Sequence, residues 1–295
     1  MCIKLNTTGL SVQKSGSYIE LSAQAAVNSI EASSIMRDDI DLMINAGIYK
    51  DDNIMEPSLA SLIQKKFGLN LEPVFGSDNP TFSFDQRNGA AGFITAAHTA
   101  DAWLNMTSSR YAMIIAGDSH PSQQEVSVED FPFTPSGSAV VLEKSDDEGF
   151  RYYDFSCSGE EVEGINGYID ISHSGNKGKI NISIAENYAE TLLTAITSSV
   201  ENAAESCGLD IRRCYVVAYQ PVADFSKKLA VNLGLSGEDV IDLFTKYGYL
   251  HSAAIGAGLH IINAKEVSPE KDAIICAAPG AGHGIATAVY SLPEV

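Results

Sequence analysis

One pattern occurs twice in this chain and restricts its fold more than any other feature. A short apolar run leads through a helix to a glycine stop. Residues 41–44 lead to Phe67-Gly68-Leu69, and residues 215–218 lead to Leu233-Gly234-Leu235. A repeat of this kind, with apolar runs too short for helices alternating with helical periods, predicts a duplicated α/β unit. In the first half the expected strands are 2–10, 39–46, 111–116 and 138–143, and the expected helices 18–33, 58–67 and 94–106. In the second half the expected helices are 184–206, 223–233 and 252–264, and the expected strands 215–218, 272–277 and 285–292. Pro57 is placed to open the helix 58–67 and Gly68 to stop it. The charged segment 144–149 divides the chain into halves 1–145 and 150–295, and the polar, Gly-rich stretch 158–179 reads as a surface loop or hairpin.

Between the first-half helices lies Phe84-Asp85-Gln86-Arg87-Asn88-Gly89-Ala90-Ala91-Gly92-Phe93. An extended segment that turns through small residues into a buried helix is a good place for a nucleophile. The helix N-terminus offers free N–H groups and the positive end of a dipole, which lower a thiol pKa and stabilise an oxyanion. This stretch has that frame and contains neither Cys nor Ser.

Charge and cysteine usage narrow the partners. With 38 acids against 19 bases the formal charge is −19, which repels nucleic acid and anionic membrane. No obvious basic patch awaits coenzyme A or a phosphopantetheine carrier. Five cysteines without paired spacing predict reduced thiols in a cytoplasmic protein, and no Cys/His spacing suggests a metal. No apolar run approaches the ~20 residues of a membrane span, and residues 1–15 lack a signal core.

Several stretches, taken in order, resemble the ketosynthase III (β-ketoacyl-[acyl-carrier-protein] synthase III) family of the thiolase fold. They are Asp39-Ile40-Asp41-Leu42 followed by Pro57-Ser58, the turn Phe84-Asp85 with Ala91-Gly92-Phe93, and Ser136-Gly137-Ser138-Ala139-Val140-Val141-Leu142. Tyr247-Gly248 with Ser252-Ala253-Ala254-Ile255, and Gly280-Ala281-Gly282, complete the set. The resemblance implies two duplicated halves in a layered α-β-α-β-α arrangement and a dimer formed through residues 72–84.

The family works with a Cys at the turn, a His and an Asn. By resemblance these positions fall on Ala90 (Ala91 if the register slips by one), Tyr219 and Tyr249. The Cys takes the acyl group; the His and Asn assist decarboxylation of a malonyl unit. Alanine has no nucleophilic atom, and a phenol of pKa ~10 is a poor base at neutral pH. The family's N-terminal coenzyme A segment, with its Trp, has no counterpart here; the sole Trp is Trp103, in the helix after the turn.

The resemblance therefore implies a catalytically degenerate subunit with no cofactor. Its expected partner is an active ketosynthase III homologue in fatty-acid- or polyketide-type secondary metabolism, with a homodimer and an acyl carrier protein as further partners. Two alternatives stay open. One is an acyl-transferring, hydrolysing or cyclising enzyme using His251, His283 or a tyrosine in the old pocket, which Ala91 and Gly282 would help line. The other is a homodimeric scaffold that binds an acyl chain or carrier protein. Tyr219 and Tyr249 are expected to fill vacated space and hydrogen-bond each other or backbone. His98 is read as a satisfied core residue, and Cys157, Cys207, Cys214 and Cys276 as small buried apolar residues.

Overall fold

A computed structural model describes residues 2–71, 80–123, 131–157, 164–168, 180–265, 268–281 and 284–293. The first half runs β1 (Cys2–Val12), α1 (Tyr18–Glu31), β2 (Ile40–Asn45), α2 (Leu59–Phe67), β3 (Phe82–Asp85), α3 (Gly92–Met106), β4 (Tyr111–Asp118) and β5 (Ser136–Ser145). The second runs β6 (Gly149–Cys157), β7 (Ile165–Tyr168), β8 (Asn181–Ile184), α4 (Tyr188–Ser206), β9 (Cys214–Ala218), α5 (Phe225–Leu233), α6 (Phe244–Tyr247), α7 (Ala254–Asn263), β10 (Ala273–Pro279) and β11 (Gly284–Ser291).

Nine strands hydrogen-bond in the order β3-β2-β4-β5-β1-β6-β11-β10-β9, and β7 and β8 form a separate antiparallel hairpin. The first five strands and the last four are joined by one residue pair, Ile3 with Phe150. β2 is parallel to both β3 and β4, and β9 is parallel to β10. Strands buried on both faces lose the polar alternation of a half-solvated sheet, and β4 and β5 show this. Ala112, Ile114, Ala116, Val140 and Leu142 enter the central core. The intervening Met113, Ile115, Ala139 and Val141 enter a second core under α1 and α2.

α3 and α7 contact strands of both sets, whereas α1 and α2 pack on the first set and α4 packs on the second and on α5. Two glycines record how tightly α7 is held. A Cβ at Gly256 would lie 2.4 Å from Ser138 Oγ on β5, and one at Gly258 would lie 2.2 Å from Val217 Cγ1 on β9. Glycine inside a helix costs roughly 1 kcal/mol against alanine. Here it lets one helix lie against both strand sets at van der Waals distance.

The repeated stop has matching geometry in the two halves. Gly68 and Gly234 are left-handed, at φ 78° and 65°. The following Leu69 and Leu235 N–H groups each reach back five residues, to Gln64 and Ala230 carbonyls, at 3.1 and 2.9 Å.

Several expectations need correction. Pro57 does not open α2: Ser58 is its N-cap, accepting from Ser61 N–H at 3.3 Å, and the helix starts at Leu59. The expected helix 184–206 begins at Tyr188, because Asn181–Ile184 pair with Ile165–Tyr168 as strands. The helix expected over 252–264 opens as a 3₁₀ turn, His251–Ala253. β6 was not expected at all; it pairs along most of its length with β11. Among the described residues no helix is long and apolar enough to cross a membrane.

Candidate functional site

The turn into α3 is fixed from both sides. β3 ends at Asp85, whose carboxylate accepts from Leu59 and Ala60 N–H (3.0 and 2.8 Å), Asn45 Nδ2 (3.0 Å) and Arg87 (3.1 Å). That one carboxylate caps the uncompensated N–H groups of α2 and anchors the end of β3. Beyond it, Asn88 Oδ1 accepts from Ala281 N–H at 2.9 Å, and Ala91 N–H donates to the Pro279 carbonyl at 2.9 Å. Gly89 sits at φ 52°, where its missing Cβ would be 3.0 Å from the Gly280 carbonyl carbon. The turn and the 279–281 loop therefore lie back to back. α3 starts with Ala91 as N-cap and has no side-chain cap, so its first-turn N–H groups are not satisfied by a capping side chain.

Beside this helix end lies a cavity of about 410 Å³ lined by, among others, Tyr49, Arg87, Ala90, Tyr188, His251 and Pro279. Among the described lining residues there is no cysteine or serine, and Thr191 is the one aliphatic hydroxyl. The cysteines whose side chains are described, Cys2, Cys207, Cys214 and Cys276, lie elsewhere, on β1, at the end of α4, on β9 and on β10. Burial pushes the Cys214 thiol up to about 11 and that of Cys276 to about 12, so both stay protonated at neutral pH.

Tyr219 and Tyr249 stand behind the cavity wall. Their hydroxyls are hydrogen-bonded to each other, and both rings are buried. Tyr188 approaches Tyr219 edge-on with centroids 6.5 Å apart. Burial raises the phenol of Tyr188 to about 12 and holds those of Tyr219 and Tyr249 well above the ordinary value. All three are neutral hydrogen-bonding groups at pH 7, not bases.

The most connected polar residue at the site is Asp118, the last residue of β4, with no exposed surface. Its Oδ1 accepts from Tyr49 and Ile48 N–H at 2.8 and 3.3 Å. Its Oδ2 accepts from the Ser252 hydroxyl and N–H at 2.6 and 2.9 Å, and pairs with His251 Nδ1 at 3.0 Å. A carboxylate at Nδ1 fixes the ring with Nδ1–H as donor and leaves Nε2 as the acceptor. His251 itself adopts φ 39°, a left-handed conformation that costs a non-glycine residue of order 1 kcal/mol or more. The bond to Asp118 and contact with Phe133, 4.4 Å between ring centroids, hold it there.

No family model matches the chain. It is 25% identical over 279 residues to the β-ketoacyl-[acyl-carrier-protein] synthase III of Clostridium acetobutylicum, covering 89% of this chain and 80% of that protein. The enzyme of the same name from Aliarcobacter butzleri is 24% identical over 293 residues, covering 94% and 84%. Among solved structures, 3-oxoacyl-(acyl carrier protein) synthase III of Pseudomonas aeruginosa PAO1 superposes with a TM-score of 0.79 at 14% identity, covering 100% of this chain and 99% of that one. The fold is thiolase-like. A Xanthomonas campestris OleA variant holding lauric acid and lauroyl-CoA shares this fold, with a TM-score of 0.76, 14% identity and 99% of each chain covered.

In this thiolase-like chain the residues singled out from sequence have mixed fates. Ala90 and His251 meet at the cavity; Ala91 is buried beside Ala90 as the N-cap of α3. Tyr219 and Tyr249 contact each other and His251, with ring centroids 6.1 and 6.5 Å from the imidazole, but do not line the cavity. Gly282 and His283 fall outside the described residues, as do residues 72–79 of the expected dimer segment and the Cys157 side chain. His98 is not a core residue: it is exposed and stacks on Tyr153 at 4.7 Å. Cys207 is half-buried, while Cys214 and Cys276 are fully buried. Asp118 escaped the sequence reading. The available signal was an acid closing the all-apolar run Tyr111–Asp118, a costly residue to bury without a partner.

Proposed function

We propose that this chain is a ketosynthase-III-like subunit that forms no acyl-enzyme and pairs with an active ketosynthase III homologue in fatty-acid- or polyketide-type secondary metabolism. The observation that carries the reading is Ala90 at the cavity-facing N-terminus of α3, with no thiol among the described lining residues. On this reading Ala90, Tyr219 and Tyr249 occupy the family's Cys, His and Asn positions, and the halves 1–145 and 150–295 are its duplicated units. Covalent condensation needs an ionisable nucleophile at the helix end, and alanine supplies none.

The sheet edge supports the pairing. Among the described strands β3 is the outermost on its side, and Phe82 on it is half exposed and stacked on Trp103 at 5.3 Å between ring centroids. An apolar, unpaired strand edge is a surface that stable proteins cover. A partner strand there would make an interface of the size of permanent pairs, above ~2,000 Å² in total. A homodimer is the assembly when the partner is absent, and an acyl carrier protein is the expected donor of the acyl group. Reduced cysteines and the absence of a long apolar helix among the described residues fit a cytoplasmic location.

The test is intact mass after incubation with acyl-coenzyme A and with acyl-carrier protein. The mass is expected to stay unchanged; a stoichiometric acyl adduct on any side chain would sink this reading. A second reading, an enzyme with altered chemistry, is favoured by one observation only, the His251–Asp118 pair at the cavity.

A further inference from the structure

We propose that His251, positioned by Asp118, activates a water molecule in the cavity and that the chain hydrolyses acyl thioesters without a covalent intermediate. The inference rests on the ketosynthase-III-like reading above, takes the cavity beside Ala90 as the place where an acyl thioester sits, and adds an activity to it. The geometry has three parts. His251 lines the same cavity as Ala90, beside the uncapped N-terminus of α3. Its Nδ1 is engaged by a fully buried carboxylate at 3.0 Å, and its Nε2 has no hydrogen-bond partner among the described residues. The backbone strain at φ 39° is maintained in a residue that lines this cavity, the kind of local cost that marks functional positions.

An imidazole held by a carboxylate is a general base for whatever proton lies at its other nitrogen. Asp118 accepts five hydrogen bonds, from Ile48, Tyr49, His251 and twice from Ser252. It therefore fixes the ring relative to the cavity wall while remaining an acceptor. The usual recipient of such a base is a nearby thiol or hydroxyl; no thiol is among the described lining residues, and acylation of Thr191, the aliphatic hydroxyl there, is read directly by the test below. The Ser252 hydroxyl is committed to Asp118 and to the Gly117 carbonyl. The phenols of Tyr49 and Tyr188 are held protonated by burial. Water is the nucleophile that fits.

In the step, water oxygen attacks the thioester carbonyl carbon while His251 Nε2 takes a proton from it. The negative charge develops on the carbonyl oxygen, in a cavity that Gly89 and Ala90, just ahead of α3, help line. The tetrahedral intermediate then collapses, the C–S bond breaks, and the imidazolium returns its proton to the leaving sulfur. One thioester and one water give one carboxylic acid and one thiol, with no oxidant or co-reactant. His251 is the catalytic residue, and Asp118 is a positioning residue that sets its tautomer.

The experiment uses the full chain with acyl-N-acetylcysteamine thioesters of four to twelve carbons in ¹⁸O-water, together with the matching 2-oxoalkyl thioether, which cannot be hydrolysed. Expected are turnover, one ¹⁸O atom in the released acid, no mass adduct on the protein, and binding of the thioether by calorimetry. His251→Gln should lower kcat by about 100-fold or more, the lower range for a general base, with KM and thioether affinity unchanged. Asp118→Asn should lower kcat in the same way with KM retained. If it fails to fold, the Gln variant and the isotope result decide alone. Thioether binding without turnover overturns the hydrolysis and leaves the site reading standing. No thioether binding overturns both. Turnover that survives His251→Gln, or an adduct on Thr191, overturns the role of the pair.

Discussion

Tyr219 and Tyr249 are hydrogen-bonded hydroxyl to hydroxyl in a buried position behind the cavity, so the O–H of one finds its acceptor in the other. Removing one hydroxyl strands its partner, and an unsatisfied buried polar group costs ~1–3 kcal/mol. Tyr219→Phe and Tyr249→Phe are each expected to destabilise the chain by about that amount in urea unfolding. The double variant should cost clearly less than the sum, because both polar groups leave together. Additive losses would show that the hydroxyls are satisfied independently.

Ala90→Cys places a thiol at the free end of α3, where the helix dipole favours the thiolate. Slow self-acylation by acyl-coenzyme A is expected in intact mass, with no condensation product from malonyl thioesters, since Tyr219 and Tyr249 supply neither an imidazole nor an amide. Full condensing activity from this single change would contradict the reading that three parts are missing.

Phe82→Lys puts a charge on the outermost strand and breaks the stack with Trp103. Charge on a strand edge blocks edge-to-edge pairing. Light scattering is expected to show the assembly of the unmodified chain, alone or with its ketosynthase partner, dissociating at micromolar concentration in the variant. An unchanged assembly would place the interface elsewhere.

His260 is half-buried on α7, with Nδ1 3.0 Å from Thr8 Oγ1. Burial is the main cause holding its pKa below the ordinary 6.5. The folded state therefore takes up a proton less readily than the unfolded chain. The stabilisation is complete above about pH 6.5 and is lost as pH falls below it through the folded value. Unfolding free energy measured at pH 7.5 and 5.5 should fall by less in His260→Gln than in the unmodified chain. Equal falls would assign the acid sensitivity to other groups.

The parts of this molecule that sequence made legible are those written in local pattern. The glycine stops at Gly68 and Gly234, the apolar runs of β2, β4, β9 and β10, and the small-residue turn at Ala90-Ala91 all announce themselves within a few residues. β6 did not, because Arg151, Tyr152, Tyr153 and Asp154 interrupt its apolar character and its pairing is supplied by β11, more than a hundred residues later. His98 misled for a related reason. α3 is apolar almost throughout, and the side of it that carries His98 is set by β6, a strand the pattern did not reveal. Asp118 and His251 lie 133 positions apart, and neither residue alone carries a signal of the other.

β1 pairs along its length with β5, from Cys2 with Ser145 to Val12 with Ser136, and lies in the middle of the sheet. The ribosome must therefore deliver more than a hundred further residues before the first strand finds its neighbour. At the usual ~5–20 residues per second, translation leaves β1 unpaired for roughly 6 to 30 seconds. During that interval α1, which packs directly on β1, is the first neighbouring element synthesised, and α3, which touches β1 more lightly, follows before β5. Early protection of the nascent chain falls to this strand–helix pair, and slowing elongation across β4 and β5 would lengthen its exposure to aggregation.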